Sequence, residues 1–551
     1  MTLQGLTMDY KLNLPAILRR ADQLYSRKEI VTRRPDKSFH RYTYADFVSR
    51  AKKLSVALKG LGVGEGDRVG TLAWNTYGHL EAYFGIPCAG AVLHTLNPRL
   101  HEDDLAFIAN HAEDKVMMVD EPLVPVFEKF REKAESIQHV VVFNYGDGAD
   151  LPDWAIPYEE LLAGADEGEF EYPDPDETDA AALCYTSGTT GRPKGALYSH
   201  RSIVLHSMMS AMGNAFSLGP DDCVLPVVPM FHVNAWGLPF TSALVGAKQV
   251  MPGPHLDPAS LIEDYEQEGV TFTAGVPTVY LAMLRALDAE QGEHDLSALR
   301  QLVIGGAAVP KSVIKAYDER HGIEVIHAWG MTEMDPIGSV AKLTLEMKEL
   351  PEDEQLEYRA KQGYPTSFVE VRARGDEGII PWDGQAMGEL EVRGHSVIKK
   401  YFNTDEGDDK FTEDGWFKTG DVVTIDEYGF IKITDRSKDL IKSGGEWISS
   451  VELENALMAH PAVAEAAVIA MPHERWDERP LAAIVLNEGE TVTDEDLRKH
   501  LESDFAKFWL PDAYEFVEEI PKTATGKFLK MALREQFKDY TPSTGSPAAK
   551  S

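Results

Sequence analysis

Cysteine is scarce in this sequence, which has only Cys88, Cys184 and Cys223, and no two of them stand at the short spacing of a CxxC motif. The chain therefore lacks the zinc and redox motifs that are built from paired cysteines, and a disulfide framework is not expected. Free cysteines without such a framework are typical of a reducing compartment, so we expect a cytoplasmic protein.

Long apolar runs are also missing, because no segment approaches the ~18 consecutive apolar residues that a membrane-spanning helix requires. The first residues, MTLQGLTMDYKLNL, lack the basic start and the apolar core of a signal peptide. We therefore expect a protein without stable membrane insertion.

Positive charge is in short supply. The Lys and Arg residues number 54 against 90 Asp and Glu, which gives a formal net charge of -36. Nucleic-acid binding needs concentrated positive charge against the phosphate backbone, so this composition argues against a nucleic-acid-binding protein. A smaller polyanionic ligand would have to be met locally by individual Lys or Arg side chains, backbone amides or a metal ion.

The hydrophobic pattern indicates an α/β fold. Continuous apolar runs at residues 116–119, 139–143, 299–306 and 323–330 suit strands that are buried on both faces. Between such runs lie segments with helical spacing of apolar residues, such as residues 44–62. At 551 residues the chain exceeds what one hydrophobic core usually organises, so we expect several layered α/β sub-lobes.

The pattern changes twice in the last third of the chain. From about residue 368, closely spaced strand candidates with Gly-rich turns predict a small antiparallel, β-barrel-like sub-lobe. After Asp435, alternating helix and strand candidates predict a separate α+β unit. We therefore predict a large N-terminal domain over residues 1–434, a small C-terminal domain over residues 435–540 and a disordered tail over residues 541–551.

Residues 185–195, YTSGTTGRPKG, follow a strand candidate and form the most informative loop. Its glycines let backbone amides converge on an anion, its hydroxyls add donors and Lys194 adds positive charge, so the composition suits phosphate binding. The Walker pattern GxxxxGK[ST] fails, because Pro193 stands at the second Gly position and Gly195 at the Ser/Thr position. Taken alone, the loop could equally be a solvated linker.

The string [ST]SGTTGxPKG resembles the signature of the adenylate-forming superfamily, which includes acyl-CoA synthetases, luciferases and the adenylation domains of peptide synthetases. Four later segments resemble the other motifs of that superfamily, in the superfamily's order. They are WGMTE (329–333), GWFKTGD (415–421), DRSKDLIKSGGEWIS (435–449) and PKTATGK (521–527). The resemblance implies a large adenylating domain followed by a mobile C-terminal domain that carries a catalytic lysine.

The resemblance also implies roles for individual residues. Lys527 would be the catalytic lysine, Glu333 and Thr186 would assist catalysis and hold Mg²⁺, and Asp435 would be the hinge between the domains. The residues implied in nucleotide binding are Thr186, Ser187, Gly188, Thr189, Thr190, Lys194, Gly305, Gly306, His327, Ala328, Trp329, Gly330, Thr332, Asp421, Arg436, Lys438, Lys442 and Trp447.

Two of these nucleotide contacts have a clear physical basis. Trp329 stands where Tyr is more usual in the superfamily, and it keeps an aromatic face that can stack on adenine. Asp421 would accept hydrogen bonds from the ribose hydroxyls, since an ionised carboxylate is a pure acceptor.

Residues 227–240, VVPMFHVNAWGLPF, point to the branch of the superfamily. Amino-acid-activating members typically place an Asp near here for the substrate amine, whereas this segment has none, which implies an uncharged acyl tail. Trp236 resembles the gate tryptophan of fatty-acyl-CoA synthetases. The acyl and CoA pocket is implied to include His232, Val233, Trp236, Gly444 and Gly445.

Further strings, such as residues 269–281 and 441–461, look closest to medium- and long-chain fatty-acyl-CoA synthetases. The resemblance implies an ATP-dependent ligase, acting as a homodimer, that takes a fatty acid, ATP and CoA as substrates with Mg²⁺ as cofactor. The alternatives are a 3-methylmercaptopropionate-type or other short-chain acyl-CoA ligase, an adenylating enzyme with a non-CoA acceptor, and a non-catalytic binding protein that has kept the fold.

Overall fold

The computed structural model describes residues 3, 5–145, 151–186, 192–290, 292, 294–436, 438–443, 446–473, 476–522, 528–538 and 540, with Glu446 described by its backbone alone. Its strands are β1 (Glu29–Arg33), β2 (Phe39–Thr43), β3 (Arg68–Leu72), β4 (Val92–Thr95), β5 (Asp114–Asp120), β6 (His139–Phe143), β7 (Ala155–Pro157), β8 (Ala180–Tyr185), β9 (Gly195–Ser199), β10 (Cys223–Pro226), β11 (Lys248–Met251), β12 (Phe272–Gly275), β13 (Gln301–Gly305), β14 (Glu324–Gly330), β15 (Ile337–Val340), β16 (Tyr364–Pro365), β17 (Val369–Gly375), β18 (Gly378–Ile379), β19 (Gly388–Gly394), β20 (Phe417–Ile425), β21 (Ile431–Arg436), β22 (Ile441–Ser443), β23 (Glu446–Ile448), β24 (Val463–His473), β25 (Asp477–Leu486) and β26 (Ala513–Phe516).

The helices are α1 (Leu14–Tyr25), α2 (Tyr44–Gly60), α3 (Tyr77–Cys88), α4 (Glu102–Ala112), α5 (Val124–Phe130), α6 (Tyr158–Ala163), α7 (His200–Ala211), α8 (Val233–Trp236), α9 (Leu238–Val245), α10 (Pro258–Glu268), α11 (Pro277–Ala289), α12 (Lys311–His321), α13 (Glu352–Ala360), α14 (Ser450–Met458), α15 (Asp494–Leu501) and α16 (Lys530–Gln536). Short 3-10 turns lie between them, including one at Thr332–Met334. In the described part of the chain, no helix is long and apolar enough to cross a membrane.

The first of two large sheets has seven strands in the order β7-β6-β5-β3-β4-β8-β9. Its strands are parallel except β9, which returns antiparallel to β8. The apolar runs at 116–119 and 139–143 lie in β5 and β6, where nearly every side chain is buried. This is the burial that continuous apolar runs predict for strands covered on both faces.

The second large sheet has nine strands in the order β16-β15-β14-β13-β12-β10-β11-β1-β2. Its six central strands are parallel, whereas β2 pairs antiparallel with β1, β15 with β14, and β16 with β15 at the edges. The predicted strands at 299–306 and 323–330 are β13 and β14. One continuous apolar cluster contains side chains of both large sheets and so fixes one sheet against the other.

The antiparallel sub-lobe predicted from about residue 368 is confirmed as a five-stranded sheet in the order β18-β17-β19-β20-β21. The C-terminal part has its own sheet, β23-β22-β25-β24 with β26 parallel to β25, and its own apolar clusters. The α/β fold class with a small C-terminal unit is thus confirmed. The predicted boundary after residue 434 falls inside β21, which pairs with β20 as far as Arg436, and the exact boundary stays a prediction.

The parallel strands place the predicted site at one edge of each large sheet. Strand β8 ends at Tyr185, directly before Thr186, while β13 ends at Gly305 and β14 at Gly330. Loops at the carboxyl ends of parallel strands are where open α/β sheets bind ligands. The fold therefore brings the predicted nucleotide residues of distant sequence segments to this edge.

Candidate active site

The two ends of the Gly/Thr loop are joined by hydrogen bonds. The Thr186 amide donates to the Lys194 carbonyl oxygen at 2.9 Å, and the Lys194 amide donates to Thr186 Oγ1 at 3.1 Å. Below them, Tyr185 pairs with Gly195 across the β8–β9 hairpin. These contacts hold the base of the loop closed.

Gly195 is closely surrounded by side chains at this base. A Cβ atom here would lie 3.0 Å from Leu183, 3.1 Å from Phe402 and 3.2 Å from the ring of Tyr185. The Tyr185 hydroxyl is in turn 2.7 Å from Nδ1 of His111 on α4. The glycine that spoils the Walker pattern therefore makes room for the aromatic side chains that support the loop.

Thr332 and Glu333 lie in the 3-10 turn after β14, and both are 8% exposed. The Tyr198 hydroxyl donates to the Thr332 carbonyl oxygen at 2.5 Å, and the Ile398 amide donates to the Glu333 carbonyl oxygen at 2.9 Å. The Glu333 carboxylate accepts a hydrogen bond from the Tyr401 hydroxyl at 2.7 Å on Oε1. Both the backbone and the side chain of Glu333 are therefore held in place.

The donor chemistry of this region fits the predicted Mg²⁺. In the described residues there is no group of three or more His, Cys, Asp or Glu side chains that could hold a metal ion. Mg²⁺ commonly binds through one or two carboxylates together with substrate phosphates and water, and it does not need a cage of protein ligands. Glu333, as a single buried carboxylate, is suited to such an ion, and the share of Thr186 in holding it stays a prediction.

Trp329, Asp421 and Arg436, which the resemblance assigns to nucleotide binding, lie in contact with one another. The Trp329 Nε1 donates to Asp421 Oδ2 at 3.1 Å, and Arg436 Nε lies 2.7 Å from Asp421 Oδ1. Asp421 is 1% exposed, and it faces Arg436 because β20 and β21 pair in that register. An ionised carboxylate has about four acceptor positions, so Asp421 retains capacity for ribose hydroxyls.

At the end of β14, Gly330 approaches the Pro336 carbonyl oxygen so closely that a Cβ would lie 2.2 Å from it.

The predicted adenine wall lies where β13 and β14 are paired. A Cβ on Gly305 would lie 2.7 Å from the Ala328 carbonyl oxygen and 3.0 Å from the ring of Trp236. Gly306 follows with a φ of +87°, which favours glycine. The ring of His327 is buried, its Nδ1 is 3.0 Å from the Ala360 carbonyl oxygen, and the role of this residue in nucleotide binding stays a prediction. Burial lowers the pKa of His327, so this side chain supports the wall as a neutral imidazole.

The predicted acyl segment has an unusual backbone. Residues 233–237 all have positive φ, between +44° and +73°, so α8 is a single left-handed turn. Val233 and Trp236 are 2% and 7% exposed, and the Asn234 side chain accepts a hydrogen bond from the Cys184 thiol at 3.4 Å. His232, directly before the turn, lines a small cavity together with Thr95, Asn97, Tyr185 and Thr186. The acyl and phosphate segments thus meet at His232 and Thr186.

The predicted hinge residue Asp435 connects two parts of the chain. Its backbone pairs with β20, whereas its Oδ2 accepts hydrogen bonds from the Ser450 amide at 2.7 Å and the Ser450 hydroxyl at 2.6 Å. Burial raises the pKa of Asp435. Burial also lowers the pKa of Lys438, which is nearby along the chain.

Lys442 and Trp447 face each other across β22 and β23. Lys442 Nζ lies 5.4 Å from the centroid of the Trp447 ring, and both side chains are exposed.

Some predicted residues lie outside the described part of the chain, and their roles stay predictions. These residues are Ser187, Gly188, Thr189, Thr190, Gly444, Gly445 and Lys527. Conversely, sequence reasoning missed Tyr198 and Tyr401, whose hydroxyls contact the Thr332–Glu333 turn. Both are single tyrosines in unremarkable strings, so only the three-dimensional contacts reveal them.

Comparison with known proteins agrees with this geometry. The family model of the AMP-binding enzyme matches residues 18–402, and that of the AMP-binding enzyme C-terminal domain matches residues 452–527. A long-chain-fatty-acid–CoA ligase of Thermus thermophilus is 50% identical over 536 residues, which cover 97% of this chain and 97% of that protein. A 3-methylmercaptopropionyl-CoA ligase of Ruegeria lacuscaerulensis is 44% identical over 97% of this chain and 99% of its own length.

Among solved structures, the anthranilate CoA ligase AuaEII in complex with anthranoyl-AMP has a TM-score of 0.86 at 27% identity, and the match covers 97% of this chain and 99% of that one. The fold is that of an adenylate-forming enzyme. The chain belongs to the AMP-binding enzyme family, and within it the chain is an AMP-forming acid–thiol ligase.

Proposed function

We propose that this protein activates a medium- or long-chain fatty acid as its acyl-AMP and then transfers the acyl group to CoA. The choice of a fatty acid as substrate depends on the chemistry of segment 227–240. This segment contains no Asp, Glu, Lys or Arg and is buried apart from Pro229 and His232. An uncharged wall favours an apolar tail, because a charged substrate group buried there would lack a partner. The fatty acid named for the Thermus thermophilus relative supports the same choice.

The first half-reaction turns a poor electrophile into a good one. A carboxylate oxygen of the fatty acid attacks the α-phosphorus of ATP, the bond to the β-phosphate oxygen breaks, and pyrophosphate leaves. Catalysis of this kind depends on positioning and on stabilising negative charge. Because the chain has a net charge of -36, that stabilisation must come from local groups such as Lys194 and the predicted Lys527.

The described residues supply the positioning. The closed base of the loop at Thr186 and Lys194 orients the phosphate-binding segment. Asp421, braced by Trp329 and Arg436, offers a fixed carboxylate to the ribose. Mg²⁺, when held by Glu333 and Thr186, would neutralise charge on the ATP phosphates.

The second half-reaction forms the thioester. The CoA thiolate attacks the acyl carbon of the mixed anhydride, and the bond to the phosphate oxygen breaks to release AMP. We assign to Asp435 the pivot about which the C-terminal domain turns between the two half-reactions. Its backbone pairs with β20 of the antiparallel sheet, whereas its carboxylate binds Ser450 at the start of α14.

Pyrophosphate release should be measured with a panel of saturated acids from butyrate to stearate, with and without CoA. We expect acid-dependent release that is greatest for a medium or long chain, and with CoA present we expect one thioester per AMP. Absence of acid-dependent pyrophosphate release would refute the proposal. Accumulation of acyl-AMP despite added CoA would instead indicate a different acceptor.

The catalytic lysine is tested with a matched pair of variants from one segment. Lys527→Ala should abolish acyl-AMP formation, whereas Lys522→Ala removes only a partly exposed ion pair with Glu465 and should leave it intact. Equal activity of the two variants would contradict the assignment of Lys527.

A short-chain acid is the second candidate, favoured by the 44% identity to a 3-methylmercaptopropionyl-CoA ligase. The two candidates differ in how rate depends on chain length. If 3-methylmercaptopropionate gives a higher kcat/KM than octanoate or palmitate, the short-chain assignment replaces the fatty-acid one.

A further inference from the structure

Tyr401 lies in the turn between β19 and β20 and is 5% exposed. Its hydroxyl donates to Glu333 Oε1 at 2.7 Å. The phenol is the donor in this contact, because an ionised carboxylate can only accept. One oxygen of the Glu333 carboxylate is therefore engaged by Tyr401 in this structure.

The segment that carries Tyr401 also holds the backbone of Glu333. The Ile398 amide donates to the Glu333 carbonyl oxygen at 2.9 Å. With the backbone restrained in this way, rotation of the side chain is the main freedom left to the carboxylate, and the Tyr401 hydrogen bond restrains that rotation. A hydrogen bond to a charged group is among the stronger ones in proteins, so this restraint is substantial.

The same segment reaches the cationic end of the phosphate loop. Lys194 Nζ lies 5.7 Å from the centroid of the Tyr401 ring, and the Phe402 amide donates to the Gly195 carbonyl oxygen at 2.8 Å. On another side, a Cβ on Gly407 would lie 2.7 Å from the Tyr401 ring. Tyr401 thus contacts the predicted metal carboxylate and the predicted phosphate cation through one side chain.

We infer that Tyr401 is a positioning residue that orients the Glu333 carboxylate for the divalent cation of the bound nucleotide. This inference rests on the proposed function, because it takes Glu333 to be the metal carboxylate. Partners that hydrogen-bond to metal-ligating side chains fix the orientation of those ligands, and their loss commonly weakens metal binding by about 10- to 100-fold. Tyr401 itself touches neither the cation nor the reacting atoms.

The test is Tyr401→Phe, which keeps the ring and removes only the hydroxyl. Mn²⁺ can stand in for Mg²⁺, because both prefer oxygen ligands in octahedral geometry. We would titrate Mn²⁺ into the protein with a non-hydrolysable ATP analogue and follow free Mn²⁺ by electron paramagnetic resonance. The expected result is that the Mn²⁺ dissociation constant in this complex rises about tenfold, while the affinity for the metal-free analogue is unchanged.

Tyr317→Phe is the matched control. The Tyr317 hydroxyl is buried and donates to the Tyr280 carbonyl oxygen at 2.6 Å, in a separate apolar cluster. The Tyr317→Phe variant should lose thermal stability without any change in Mn²⁺ affinity. An Mn²⁺ affinity of Tyr401→Phe equal to that of the unmodified protein would overturn the inference.

A second variant acts on the ring without touching the hydroxyl. Gly407→Ala pushes a methyl group toward the ring, and its φ of +95° adds backbone strain at a partly buried loop position. We expect a smaller rise in the Mn²⁺ dissociation constant in the same direction, and no rise in either variant would refute the role. Because Mn²⁺ binding needs no acid turnover, failure of the acid panel and failure of this inference give different results.

Discussion

Substitution of Lys530 is the sharpest test of the electrostatics around the predicted hinge. This lysine lies at the start of α16, and its Nζ is 2.7 Å from Glu454 Oε1 and 2.5 Å from Ser450 Oγ. Ser450 is the residue whose amide and hydroxyl bind Asp435. Lys530→Met keeps the length of the side chain and removes its charge, so it leaves two buried carboxyl groups without their cation.

The expected magnitude follows from burial. Lys530 and Glu454 are 11% and 9% exposed in their side chains, so water screens the pair only weakly. Removal of one partner of such a buried pair typically costs about 3–5 kcal/mol, because the remaining charge is uncompensated. Burial already raises the pKa of Glu454 to about 7 with Lys530 in place. Without the lysine, we expect Glu454 to be protonated at neutral pH, which brings the cost toward the lower end of that range.

Hydrogen exchange is the appropriate assay, because a chain with several cores does not unfold as one two-state unit. The free energy of opening at the amides of β24 and β25 should fall by about 3–5 kcal/mol in Lys530→Met. The double variant Lys530→Met with Glu454→Leu should recover part of the loss, since it removes both charges of the Lys530–Glu454 pair but leaves Asp435 without the lysine and the Val468 amide without its acceptor on Glu454. Lys522→Met should change the opening free energy by less than about 1 kcal/mol, as expected for an exposed pair. A loss below about 1 kcal/mol in Lys530→Met, or no recovery in the double variant, would refute the reasoning.

Two further predictions concern the sheets of the N-terminal part. Gly305→Ala should lower the unfolding free energy by about 1–3 kcal/mol, because its Cβ meets the Ala328 carbonyl oxygen and the Trp236 ring. Gly213→Ala is the control: its Cβ would have open space around it, so in thermal melts this variant should behave like the unmodified protein. Burial raises the pKa of Asp120 from the usual 3.8 to about 7. Between pH 3.8 and about 7 the folded chain therefore keeps a proton on Asp120 that the unfolded chain has lost. Stability should fall as the pH rises through this window. In denaturation at graded pH, Asp120→Asn should flatten that slope, and an unchanged slope would contradict the assignment.

The sequence predicted well whatever depends on local pattern. Continuous apolar runs identified β5, β6, β13 and β14, because strands buried on both faces carry no polar alternation. The string TDED (493–496) has the residue pattern of a capping box, and Thr493 and Asp496 form its two reciprocal hydrogen bonds at the start of α15. Such signals lie within a few residues of one another, so one sequence is sufficient to detect them.

Contacts between distant segments were predicted only in part. The meeting of Trp329, Asp421 and Arg436 was expected from the resemblance, but the direct hydrogen bond from the indole to the carboxylate was not. The Tyr401–Glu333 contact joins residues 68 positions apart. No periodicity or spacing marks such a pair, because its partners come together only when the antiparallel sub-lobe packs against the edge of the large sheet.

The left-handed turn at residues 233–237 is the feature that sequence reasoning had least means to predict. Four of its residues, VNAW, carry side chains, and the left-handed region costs an L-residue roughly 1–2 kcal/mol. Asn alone among them tolerates that region well. The turn therefore persists because burial of all four side chains offsets its strain, which is a tertiary effect. Backbone strain that surrounding packing maintains is characteristic of functional sites, and here it sets Trp236 against Gly305 and places His232 beside Thr186.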